Sequence, residues 1–178
     1  MKNKEEKLEQ IRLIKSEKEI HILLDELLPE MGYGNVKVTH EKGNAPEFGK
    51  DLVCSREDEI EGKLDWTAFV VKKGTIAGNA SAITEIQDQI KECFEYPYDS
   101  IELRQKLRIN KVKVVTNKHF SSAAKIKINS SNYFDQANVD FWNDEKLELE
   151  RIGQYFKFWH TKSKLFYLLN KSGRARNM

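Results

Sequence analysis

The sequence predicts an α/β fold: a mixed β-sheet flanked by helices on both faces. Three observations predict it. The run Trp66-Thr67-Ala68-Phe69-Val70-Val71 is apolar at successive positions, as a central strand covered on both sides must be. Ahead of it lie two shorter strand patterns, separated by polar, glycine-containing segments that suit an antiparallel meander. Behind it, a stripe of helical period leads to another buried strand, the pattern of a crossover connection.

The elements follow in order. Residues 4–28 carry Leu8, Ile11, Ile14, Ile20, Leu23, Leu24 and Leu27 mostly three and four apart, which predicts one long helix. Pro29 and the turn Gly32-Tyr33-Gly34 end it. Residues 35–39 alternate around Val36 and Val38 and read as a strand, and the polar stretch 40–46 as a loop. Residues 50–54 are the next strand. The charged segment 55–63, with Gly62, is an exposed hairpin turn leading to the central strand at 66–72. Residues 81–95 form a helix whose buried stripe is Ile83, Ile86, Ile90, Cys93 and Phe94, stopped by Pro97. Residues 112–116 are a buried strand, and Ser121 or Ser122 caps a helix over 123–128. A short strand at 139–141 precedes a helix that starts at Asp144 and a final helical stretch to 170. The tail 171–178 is polar and is expected to fray.

A chain of 178 residues is expected to form one domain, over 1–170, with a core at 5–130 and a helical extension at 144–170. It has no apolar run long enough to span a membrane. The charged start, Met1-Lys2-Asn3-Lys4-Glu5-Glu6-Lys7, lacks the apolar segment of a secretory signal, so a cytoplasmic location is expected. Cys54 and Cys93 have no metal-ligand spacing and are expected to be buried thiols. His160 has no ligand companion for zinc. The formal net charge of +2 does not argue for a nucleic-acid binder, but Lys106, Arg108, Lys111, Lys113, Lys118, Lys125 and Lys127 concentrate positive charge in one segment. That segment is either a solvated face or a patch that meets phosphate. No glycine-rich phosphate loop, dinucleotide fingerprint or nucleophile elbow is present.

The most informative stretch is Glu47-Phe48-Gly49-Lys50-Asp51-Leu52-Val53, followed by Val70-Val71-Lys72-Lys73-Gly74. Asp51 opens one apolar run and Lys72 closes another. If the two runs are neighbouring strands, carboxylate and ammonium can meet at one edge of the sheet. An aspartate that holds a divalent cation, beside a lysine that steadies an attacking water, is a minimal kit for metal-dependent phosphodiester cleavage.

On these residues, with the order α-β-β-β-α-β, the chain resembles the PD-(D/E)xK nuclease superfamily, the restriction-endonuclease-like fold. Within it, the chain is similar to Mrr-like domains of bacterial restriction and antiphage systems, some fused to STAND-type sensor ATPases. The resemblance covers roughly residues 5–130. It implies a metal-dependent DNA endonuclease using Mg²⁺ or Mn²⁺, with DNA as partner and a homo-oligomer or sensor domain as a further one. Carried over, Asp51 matches the metal-binding aspartate and Lys72 the catalytic lysine. Lys50, Lys73, His40 and Lys118 are the expected contacts to the nucleic acid, and His119 could also face the substrate. One position departs from the pattern. The family's second acid stands two residues before the lysine, and here that residue is Val70. Glu47, just ahead of the Asp51 strand, is the first candidate to replace it and is expected to join Asp51 as catalytic and metal-binding residue. Glu85 is the second candidate, although Asp88, Gln89 and Glu92 around it suggest a solvated helix face. The empty acid position equally suits a nuclease-fold module without catalysis, used for DNA binding or subunit assembly.

Overall fold

A computed structural model describes residues 4–39, 48–58, 62–100 and 102–149. The chain runs through α1 (Lys4–Arg12), α2 (Glu17–Glu30), β1 (Gly34–Val38), β2 (Leu52–Glu57), β3 (Leu64–Lys72), α3 (Ala80–Glu95), β4 (Tyr98–Ser100), β5 (Gln105–Leu107), β6 (Lys111–Thr116), α4 (Ser122–Asn129) and β7 (Val139–Trp142). Helical backbone resumes at 144–149. The expected C-terminal extension beyond that point lies outside the described residues, as does the tail.

Five strands form one sheet in the order β1-β2-β3-β6-β7. The first three pair antiparallel, and β3–β6 and β6–β7 pair parallel. The apolar run at the middle of the sequence is therefore the middle strand. Its alternation divides the interior into two layers. Ala68 and Val70 face Ile83, Ile86, Ile90 and Cys93 of α3 and Ala124 and Ile128 of α4. Phe69 and Val71 face Ile20, Leu24, Leu27 and Leu28 of α2. Helices on both faces are what a strand with the apolar run Ala68-Phe69-Val70-Val71 requires.

Two features differ from the sequence reading. The single helix over 4–28 is two helices. The break falls at Ser16, whose hydroxyl accepts the Glu19 amide at 3.2 Å and donates to the Glu19 carboxylate, while that carboxylate accepts the Lys15 amide at 3.1 Å. This is a capping box, and it competes with continuation because it satisfies the amides that a new helix start leaves open. His21 of α2 is buried. The second difference is a small hairpin, β4–β5, inserted between α3 and β6. Its strands are three residues each and mostly polar, too short for an alternation to register.

Both cysteines are free and buried, and burial pushes each thiol up to about 12. They are inert core groups, as expected.

The approach to β2 is built against α3. Phe48 stacks on Tyr96 with ring centroids 4.4 Å apart. Gly49 follows at φ +74°, and a Cβ there would lie 2.4 Å from the Gln89 carbonyl oxygen of α3. Only glycine meets both demands, left-handed backbone and close contact with a helix. Lys50 comes next and is 2% exposed.

Two substitutions test these features. Ser16→Ala should destabilise the chain by about 1 kcal/mol in chemical denaturation, and no loss would mean that the capping box does not set the break. Gly49→Ala should cost about 3 kcal/mol from backbone strain and overpacking together. A loss under about 0.5 kcal/mol, the range of ordinary surface changes, would show that the segment does not dock on α3 this closely.

Candidate active site

Asp51 and Lys72 share one face and one end of the sheet. Leu52 pairs with Phe69 and Val53 with Ala68, so the register continued by one sets Asp51 opposite Val70. Val53 lies in the α3-side layer with Ala68 and Val70, whereas Leu52 lies in the α2-side layer with Phe69. Side chains alternate along a strand, so Asp51 and Lys72 both belong to the α3 side. One contact agrees: Lys72 Nζ reaches Glu85 of α3 at 2.5 Å.

Asp51 is itself held in place. Its amide donates to the Phe69 carbonyl at 2.9 Å, and its carboxylate Oδ2 accepts the Val71 amide at 2.6 Å. The side chain therefore finishes the ladder where β2 begins, and 9% of the residue is exposed. Thr39 donates its hydroxyl to the Lys50 carbonyl just ahead of it. An anchored carboxylate at a strand end is positioned without a loop's freedom.

The acid position of the resemblance is filled by core. Val70 is fully buried and packs with Ile86 and Ile90 of α3. An acid does stand at Lys72, and it comes from the helix. Glu85 lies 62% exposed, while the Lys72 side chain it meets is 16% exposed. Of the two candidates, Glu47 lies outside the described residues, as does His40. Glu85 and Asp88 are exposed, as a solvated helix face requires, and Glu85 meets Lys72 from that face. Glu85, Gln89 and Glu92 fall at helical spacing on one side of α3. Glu85 meets Lys72, and the Gln89 backbone meets Gly49. The sequence signal for this was available in principle: a carboxylate thirteen residues after Lys72, in the first turns of a helix that must return across the same face.

The expected nucleic-acid contacts are dispersed. Lys50 is buried beneath Phe48, with Nζ donating to the Phe48 carbonyl at 3.2 Å, and burial lowers its pKa below the ordinary lysine value. Lys73 is exposed and turns to the α1–α2 junction, where Nζ donates to the Lys15 carbonyl at 3.2 Å. Lys118 is exposed just past the end of β6, and Thr116 of β6 pairs with Lys72 in register. Lys118 and Lys72 are thus at the same end of the sheet. Lys111 is at the other end, bound to Asp65 at 2.9 Å, and Lys113 lies over the Trp142 ring at 4.2 Å. Lys127 donates to the Gly78 carbonyl at 2.6 Å. The lysines of 106–127 do not form one patch. Gln87 is a satisfied amide, donating to the Lys127 carbonyl at 2.8 Å and tying α3 to α4. His119 is exposed, beside Lys118.

Among the described residues no three His, Cys, Asp or Glu side chains gather as a metal cluster. Asp51 and Glu85 offer oxygen donors alone, from the same side of the sheet. Oxygen donors in small number suit Mg²⁺ or Mn²⁺, which keep several waters when bound by one or two carboxylates.

No protein-family model matches the chain, and no curated protein matches it either. Among solved structures it is similar to the MspJI restriction endonuclease in complex with a 27-mer oligonucleotide, with a TM-score of 0.38 and 14% sequence identity. That likeness covers 76% of this chain and 28% of the other, so the chain spans less than a third of that protein's length.

Proposed function

We propose that the chain is a metal-dependent endonuclease that hydrolyses phosphodiester bonds in DNA, with Asp51, Lys72 and Glu85 as its working residues. The observation that carries this reading is the arrangement at the sheet end. A backbone-anchored aspartate lies one strand over from a lysine on the same face, and that lysine meets a second carboxylate at 2.5 Å. Asp51 and Glu85 would hold Mg²⁺ or Mn²⁺, which supplies charge neutralisation at the scissile phosphate and a more acidic water. Lys72 would orient the attacking water and offset the charge that builds on the phosphoryl oxygens. Its stem is shielded along β3, which keeps the ammonium directed at the site. Asp51, fixed to the Val71 amide, would not need to reorganise. Lys118 would meet the DNA backbone at the same end of the sheet, a contact that positions without reading sequence. DNA as substrate, a role in bacterial defence against foreign DNA, and service as the effector of a larger sensor protein follow from the sequence resemblance.

A second reading is supported by Val70. The usual acid position belongs to the apolar core, so the chain could instead be a nuclease-fold module that binds DNA or assembles subunits without cutting.

Plasmid cleavage with Mg²⁺, Mn²⁺ or EDTA separates the two. Lys72→Ala should lower the cleavage rate by roughly 10²–10³-fold, the scale of one lost electrostatic contact to a transition state. DNA affinity should stay nearly unchanged, because one phosphate contact among several shifts the salt slope by about one unit. Glu85→Gln should weaken Mn²⁺ binding in calorimetry by at least about tenfold, or ~1.4 kcal/mol. Wild-type affinity in Glu85→Gln would remove Glu85 from the site. A wild type that binds DNA yet cuts with neither cation would establish the non-catalytic reading.

A further inference from the structure

The turn that follows Lys72 is fixed from outside the sheet. Lys73 donates its amide to the Glu17 carboxylate at 3.1 Å. Gly74, at φ +90°, donates its amide to Asn117 Oδ1 at 2.7 Å, and its carbonyl accepts the Thr116 hydroxyl. Asn117 is 1% exposed. Its Nδ2 lies 3.3 Å from the Ile11 and Arg12 carbonyls and 3.2 Å from that of Ile14. Two amide hydrogens serve three acceptors there. Two of those acceptors are the last carbonyls of α1 and the third lies in the link to α2; the Ile11 carbonyl also accepts the Ile14 amide at 3.2 Å. One buried side chain thus closes the end of α1 and holds the backbone two residues beyond Lys72.

We infer that Asn117 is a positioning residue for Lys72: its amide fixes the Gly74 turn, and the end of α1 fixes the amide. The inference rests on the reading of Lys72 as a site residue. Three points argue against a merely structural amide. The Oδ1 acceptor is spent on the site turn rather than on its own strand or helix. Thr116, beside it, grips the other polar group of the same Gly74. And α1 has a separate tether, Arg12 Nε to Asp144 Oδ2 at 2.6 Å, so Asn117 is not needed merely to keep α1 attached. α1 has just two apolar side chains, Leu8 and Ile11, both buried, and without a fixed helix end the amide would have no set orientation. The end of α1 therefore acts on the turn through Asn117, while α2 holds it directly through Glu17.

The test compares Asn117→Ala, Asn117→Asp and Arg12→Leu by two readouts: hydrogen exchange at the Gly74 amide, and kcat against KM for Mn²⁺-dependent plasmid cleavage. Asn117→Ala should speed Gly74 exchange at least about tenfold and lower kcat by a similar factor, with KM for DNA within twofold. Asn117→Asp keeps the Gly74 acceptor but sets an oxygen against the Ile11, Arg12 and Ile14 carbonyls, so it should lose Gly74 protection as well; it also serves if the alanine variant does not fold. Arg12→Leu loosens α1 by its other tether but leaves Asn117 in place, so it should lower the melting temperature while changing Gly74 exchange and kcat clearly less than Asn117→Ala does. Unchanged Gly74 exchange in Asn117→Ala overturns the inference, as does an equal loss of kcat in Asn117→Ala and Arg12→Leu. If the wild type does not cleave, the endonuclease reading fails, and the exchange readout alone still decides whether Asn117 holds the turn.

Discussion

The hydrogen bond from the Val71 amide to the Asp51 carboxylate, 2.6 Å long, is the constraint on which the site depends. At the end of an antiparallel ladder the last amides lack a partner strand, and a buried amide left open costs free energy. Here an aspartate side chain takes the place of a strand. The result fixes the start of β2 to the end of β3. Every other feature of the site is arranged around that junction: Gly49 lets the chain approach it under α3, Lys72 leaves it one residue later, and Glu85 closes it from the helix.

The proposed site has no acid on β3 beside Lys72. The position two residues before Lys72 lies beneath α3, and Val70 fills it with apolar contacts. A charge placed there would need a partner in a dry layer. Moving the carboxylate to α3 puts it at 62% exposure, where the charged form keeps much of its hydration. The helix can serve because α3 crosses the same face on which Lys72 emerges. Sheet alternation and helical period together bring Glu85 to Lys72 from a separate element.

Much of this architecture was legible in the sequence, and the reasons are physical. The continuous apolar run at 66–71 could only be a central strand, and it is the third of five. The three-and-four spacing of Ile83, Ile86 and Ile90 could only be a helix on that strand. Asp51 and Lys72 on a common face followed from counting alternate residues once the strands were placed. What was not legible depended on contacts between distant segments. The break at Ser16 arises from a cap that a strong apolar period concealed. The β4–β5 hairpin is too short to carry a pattern. Lys50 looks like a surface lysine in sequence and is buried because Phe48 and Tyr96 stack beside it. The apparent lysine patch dissolves because β6 carries its residues from one end of the sheet to the other. Asn117 was unremarkable in sequence, since its partners are more than a hundred residues earlier on one side and forty-three on the other.

The central claim is that the Asp51 and Glu85 carboxylates converge on one cation beside Lys72. The most direct measurement is anomalous diffraction from crystals soaked in Mn²⁺. The account predicts a peak about 2.2 Å from carboxylate oxygens of both Asp51 and Glu85, the usual metal–oxygen distance, with Lys72 no longer bound to Glu85. A Mn²⁺ peak elsewhere in the molecule, or none at this end of the sheet at millimolar Mn²⁺, would contradict it.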